Sequence, residues 1–213
     1  MELNNIFSLI TQAQIWLVIL IIYLGVAWIY LKIGIFVLDY VFIPVFFIFS
    51  LRNLFYLKKN QEHRSNEKHI AVILVNNYMP ERLSIYATLD IPKLIKYFKK
   101  KNWSYKIYFR VDKSKLKKII NNPDITMIYL IGHGQRHGIK VSKKEMVYYC
   151  EFQNSPKKEF IAQLHCNHYG GTSLIEYIAK NPKKSFVTQT KLNNYKLNKL
   201  IDEVLKGNRH GHP

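Results

Sequence analysis

The sequence predicts an α/β domain whose mostly parallel sheet is covered by helices on both faces, preceded by one or two transmembrane helices. Three observations carry this. Residues 15 to 51 form an almost unbroken apolar run in which Lys32 and Asp39 are the only charges. From residue 69 onward, short apolar runs of strand length alternate with amphipathic stretches of helical period. Finally, 213 residues of which 48% are hydrophobic suffice for one ordinary core plus an appendage.

The appendage comes first. As a single helix, the run 15–51 would be about 55 Å long at about 1.5 Å per residue, well beyond a hydrocarbon thickness of about 30 Å. It is therefore expected to divide, and Lys32 and Gly34 offer the place, giving a helical hairpin of segments 15–31 and 33–51. The alternative is one span, 15–31, followed by an interfacial helix bent at Pro44. Asp39, close to the boundary, suits a turn or a snorkelling position better than an intramembrane acid. The leader MELNNIFSLITQAQ has no Lys or Arg, and no A-x-A-like exit follows, so the segment reads as a retained anchor and not a cleaved signal. Arg52, Lys58, Lys59, Arg64 and Lys68 follow directly, which by the positive-inside rule places the remainder in the cytoplasm. Residues 52–68 read as a basic linker and 69–213 as the soluble domain.

Within that domain, HIAVILV (69–75) is a continuous apolar run, the signature of a buried strand. IPKLIKYFKKKNW (91–103) repeats Ile91, Leu94, Ile95 and Phe98 opposite a lysine face, an amphipathic helix. SYKIYFRV (104–111) alternates as a strand, and DKSKLKKIINNP (112–123) is a helix with Asp112 or Ser114 as cap and Pro123 beyond its end. ITMIYLIG (125–132) is a third apolar strand. Then follow a hairpin over 138–150, a fourth core strand over 158–166, a helix over 172–181, a strand over 184–190 and a last helix over 191–207. Strands alternating with helices of this size imply parallel pairing.

Charge and cysteine content limit the function classes. Residues 52 onward hold 31 of the 32 Lys and Arg and 12 of the 14 acids. Such a balance attracts anionic headgroups by about 1 kcal/mol per basic residue near the cytoplasmic leaflet. It would also attract nucleic acid, and residues 93–110 interleave aromatics with lysine. Yet Tyr97, Phe98, Trp103, Tyr105 and Tyr108 fall where a helix and strand need core residues, so nucleic acid is not an expected partner. Cys150 and Cys166 are the only cysteines, which excludes a disulfide framework and a zinc quartet. Cytoplasmic thiols stay reduced. Neither a metal nor a cofactor is expected, and the terminal RHGHP reads as a tail.

Two strands end in residues able to do chemistry. The third ends in His133-Gly134 and the fourth in His165-Cys166. In parallel sheets, reactive groups gather where loops leave the carboxyl ends of the strands. An imidazole beside a thiol can take its proton and later return it to a leaving amine. Gly134 lets a substrate backbone come close, and its N–H together with that of Cys166 could face a developing oxyanion. Gly170 and Gly171 leave room for a tight turn before the following helix.

An apolar strand ending in His-Gly, then an apolar strand ending in Cys, resembles the caspase, legumain, gingipain and separase clan of cysteine peptidases, clan CD. MIYLIGHGQRHGIKVSKKEMVYY is similar to the strand, His-Gly and following hairpin of the legumain and glycosylphosphatidylinositol transamidase branch. The likeness spans about residues 69–190, with Cys166 following His133 at a spacing of 33 positions. It implies a three-layer caspase-like fold, with His133 as general base and acid, Cys166 as nucleophile and Gly134 as oxyanion donor. The whole then reads as a membrane-anchored cysteine endopeptidase, a hydrolase cleaving a protein or peptide substrate near the cytoplasmic membrane face, in signalling or defence. Against it stand a catalytically inactive caspase-like pseudoenzyme and a membrane-anchored basic adaptor for nucleic acid or anionic lipid. The chain departs from the clan in one place beside the nucleophile: His165 stands where a small residue is usual, and strand alternation turns it beneath the sheet. His137 and His168 read as polar loop residues, and Cys150 as a structural thiol.

Overall fold

A computed structural model describes residues 2–37, 43–75, 91–166, 170–187 and 194–205. The chain divides into two compact units, residues 1–47 and 48–213.

The first unit is dominated by helix α1, Glu2–Val37. Its described large hydrophobic side chains, from Trp16 to Ile35, are exposed. Among the described residues, no helix is long and apolar enough to cross a membrane. The division expected at Lys32 and Gly34 is absent from the backbone, which remains helical to Val37. The reason is local: one helical glycine costs only about 1 kcal/mol, and the Lys32 ammonium lies 5.3 Å from the ring centroid of Trp28, one turn back. Asp39 lies outside the described residues.

Helix α2, Ile43–Lys59, leads into the second unit. Pro44 occupies its first turn, where the missing N–H is no loss. The stretch read as a linker is largely structured. Its first half completes α2, and Leu57 is fully buried in the core of the second unit. Its second half supplies β1, Glu62–His63, and the start of β2, Glu67–Leu74.

The remaining elements follow the apolar pattern closely. They are α3, Ile91–Lys100; β3, Trp103–Phe109; α4, Lys113–Ile120; β4, Met127–Ile131; β5, Gly134–Gln135; β6, Gly138–Lys140; β7, Met146–Tyr148; β8, Phe160–Leu164; α5, Leu174–Ile178; β9, Phe186–Val187; and α6, Asn194–Leu205. Ile91, Leu94, Ile95 and Phe98 form the buried stripe of α3. Asp112 caps α4 by accepting from the Lys115 N–H at 2.8 Å. Residues 76–90 lie outside the described residues.

The main sheet runs β1-β3-β2-β4-β8-β9, parallel throughout except for β1 at the edge. It is thus an α/β fold with a mixed, mostly parallel sheet. Alternate residues feed two cores. Val72, Leu74, Tyr129, Ile131, Ala162 and Leu164 face Leu57, α3 and Ile201 of α6. Ala71, Ile73, Ile128, Leu130 and Ile161 face α4, α5 and the small sheet β5-β6-β7. The aromatic residues of 93–110 are spent on this packing: Phe98 and Tyr105 are buried in the first core, and Trp103 packs beside them with its ring centroid 6.3 Å from that of Phe98.

Candidate functional site

β4 and β8 are neighbouring parallel strands, so both carboxyl ends reach the same rim. Their register pairs Met127 with Phe160 and Ile131 with Leu164. His133 and Cys166 each lie two residues beyond that last pair, where the chain leaves its strand at the shared rim. Ile131 and Leu164, the last paired residues, both face the first core. His133 is exposed and Cys166 partly exposed, so both are open to a ligand.

Gly134 opens β5, and the chain turns at once into the small antiparallel sheet. The Lys140 N–H donates to the His133 carbonyl at 2.8 Å, which makes these two a hydrogen-bonded pair. Pairs alternate along an antiparallel ladder, so the Gly134 N–H points away from β6. Space at Gly134 is also fully used: a Cβ there would lie 2.5 Å from the Gly138 carbonyl oxygen and 2.9 Å from His165 Nδ1. Only glycine permits this approach.

His165 accounts for the departure from a small residue. It is 1% exposed and meets Tyr149 of the second core, on the face opposite that of Leu164, as alternation predicts. Nδ1 lies 2.9 Å from the Cys166 carbonyl oxygen, and Nε2 lies 2.5 Å from the Tyr149 hydroxyl. A carbonyl only accepts, so Nδ1 carries the hydrogen and Nε2 is left to accept from Tyr149. Burial holds His165 neutral, pushing its pKa down to about 4 against the opposing effect of the Cys166 carbonyl, with nearby His133 adding to the depression. Burial likewise drives the Tyr149 phenol well above its ordinary value, so it remains a donor.

The walls of the rim are tied together by polar groups that have no period to betray them. Buried Gln163 donates to the Arg136 carbonyl at 3.2 Å and accepts from the Leu174 N–H at 3.1 Å, joining the β5–β6 turn to the start of α5. Arg136 pairs with Glu176 at 3.2 Å. Burial resists ionisation of Glu176, but its hydrogen bonds with Ser173 and its pairing with Arg136 outweigh that and hold its pKa below the usual range. His137 Nδ1 donates to the Gly170 carbonyl at 3.1 Å while its ring stacks on Tyr148 with centroids 5.7 Å apart. His137 is therefore a tie between the hairpin and the loop after Cys166. Gly171 has φ +113°, and a Cβ on it would meet the His137 side chain. His168 and the tail RHGHP lie outside the described residues.

Cys150 differs from its expected role. It is exposed on a 3-10 turn, Tyr149–Phe152, and serves no packing purpose. A cavity of about 400 Å³ lies around Glu62, Arg64, His69, Ser104, Lys106 and Asp124. It sits at the amino-terminal ends of β2 and β4, across the sheet's length from His133 and Cys166, and the strand-end geometry marks the other rim as the chemical one. Among the described residues, no group of His, Cys, Asp and Glu is arranged to hold a metal ion.

Neither a protein-family model nor a curated protein sequence matches the chain.

Proposed function

We propose that the chain is a membrane-anchored cysteine endopeptidase of caspase-like fold, acting on a protein or peptide substrate at the cytoplasmic face of a membrane. The observation that carries this reading is that β4 and β8 are neighbouring parallel strands whose carboxyl ends lead, two residues on, to His133 and to Cys166. In the reaction, His133 takes the proton of Cys166, and the thiolate attacks the scissile carbonyl. The new C–S bond places negative charge on oxygen, where the N–H of Gly134 and that of Cys166 stabilise it. Collapse breaks the C–N bond, and His133 returns its proton to the departing amine. Water then hydrolyses the thioester by the same exchange.

The anchor rests on sequence and exposure. The helical backbone of α1 carries the apolar run from residue 15, and its described large hydrophobics from Trp16 to Ile35 are exposed to solvent. A helix apolar around its whole circumference has its natural surroundings in lipid. The basic residues that follow suit the cytoplasmic side.

The test needs no substrate. In the detergent-purified full chain, iodoacetamide alkylation of Cys166 is followed against pH, with exposed Cys150 as internal reference and His133→Ala alongside. Fast labelling of Cys166 below about pH 7 that disappears in the variant identifies a thiolate paired with imidazole. Labelling of Cys166 indistinguishable from that of Cys150 would sink the peptidase reading and leave an inactive enzyme of this fold.

A further inference from the structure

We infer that the Tyr149–His165 pair is a positioning device that aligns the two backbone donors facing the oxyanion, and so serves acyl transfer without touching substrate. The inference rests on the peptidase reading and adds to it a pair that lies behind the reacting atoms.

One buried ring touches both halves of the site. His165 Nδ1–H holds the carbonyl of Cys166, closing a small ring of atoms that fixes the backbone on either side of the nucleophile. The same ring lies against Gly134, close enough that even a methyl there would collide with Nδ1 and Cε1. The Cys166 carbonyl and Gly134 therefore both meet the same imidazole. The ring itself is held in turn. Tyr149 donates to Nε2, and this hydroxyl fixes both the tautomer and the tilt. Tyr149 is anchored through its own backbone, its N–H donating to the His137 carbonyl at 2.9 Å, so the support reaches back into the hairpin that follows His133. Both side chains are fully or almost fully buried, where they cannot meet a substrate.

A backbone that must place two N–H donors within a few tenths of an ångström of a developing charge gains from such support. Thiolate formation requires no such alignment. It depends on His133 alone, which makes the two steps separable.

The experiment uses two probes on the full chain in detergent. Iodoacetamide reports the thiolate. p-Nitrophenyl acetate reports acyl transfer: the thiolate forms a C–S bond to the acetyl carbon, the ester C–O bond breaks, p-nitrophenolate leaves with the electron pair, and the thiol proton stays on His133. His165→Phe is expected to slow acylation at least tenfold while leaving the rate and pH profile of Cys166 alkylation within twofold. His165→Asn, whose amide can still donate to the Cys166 carbonyl, should recover much of the loss. Tyr149→Phe, which removes one hydroxyl, should slow acylation about threefold and serves where the histidine variants fail to fold. Equal acylation in folded variants and wild type overturns the inference, as does a parallel fall in both rates with the fold retained. A wild-type Cys166 no more reactive than Cys150 overturns the peptidase reading itself, which is a different result.

Discussion

Lowering the pH from 7 to 4 should destabilise the second unit through His165 in a way that a single substitution reveals. The ring is 1% exposed and its pKa lies at about 4 in the folded chain, against an ordinary value of 6.5. A folded pKa below the unfolded one means that the unfolded chain binds the proton more readily. The neutral ring's contribution to stability is therefore complete above pH 6.5 and is lost as pH falls towards and through 4. At about 1.36 kcal/mol per pKa unit, the difference amounts to roughly 2 kcal/mol lost by pH 5 and about 3 kcal/mol by pH 4. Carboxylates titrate in the same window, so the measurement is a difference. Urea unfolding of the full chain in detergent, followed by near-ultraviolet circular dichroism, is compared between wild type and His165→Asn at pH 7, 6, 5 and 4. The substituted amide cannot titrate, and the gap between the two proteins should narrow by about 3 kcal/mol over the series. Parallel pH curves would show that His165 is not held neutral by burial, and the tautomer argument would go with it.

Other outcomes follow from the same contacts. Gly134→Ala should cost about 2–4 kcal/mol in urea unfolding, because the new methyl meets the Gly138 carbonyl oxygen and the His165 ring. Leu57→Ala should cost about 2–4 kcal/mol in the same assay, a loss that a mere linker residue would not give. Lys158, buried and donating to the carbonyls of Asn122 at 2.6 Å and Ile125 at 2.9 Å, has its pKa pushed down to about 8 by burial, with Asp124 opposing. Its folded pKa also lies below the unfolded 10.5, so stability should rise between pH 8 and 10.5 in wild type and remain flatter in Lys158→Met.

The elements that the sequence made legible are those with a long enough apolar period to read. The stripe of α3 and the unbroken core of β4 show their partners' positions directly, since period 3.6 and continuous burial leave few other arrangements. The two-residue strands β1, β5 and β9 have no period at all and were readable at best as parts of neighbouring segments. α2 was hidden for a different reason. Its apolar residues continue those of the preceding run, and nothing in composition separates Leu57, which packs in the second unit, from the hydrophobics before it. At the rim, His133, Gly134 and Cys166 stood out because each closes an apolar strand. His165 stood out beside them, but its bond to Tyr149 and the part played by Gln163 did not, because a buried polar side chain is recognised by the partner it meets, and those partners come from 149, 136 and 174. Alternation alone was nevertheless enough to turn His165 beneath the sheet, where it meets Tyr149 of the second core.

The close quarters around Gly132 and Gly134 bear on how such a protein can change. A Cβ on Gly132 would lie 2.9 Å from the Val75 carbonyl oxygen, and one on Gly134 would lie 2.5 Å from that of Gly138. Neither obstacle is a side chain that can be trimmed by a second mutation. Mutational drift and laboratory libraries alike are therefore shut out of these two positions, whereas Arg136 and His137, whose side chains meet those of Glu176 and Tyr148, can change together with their partners.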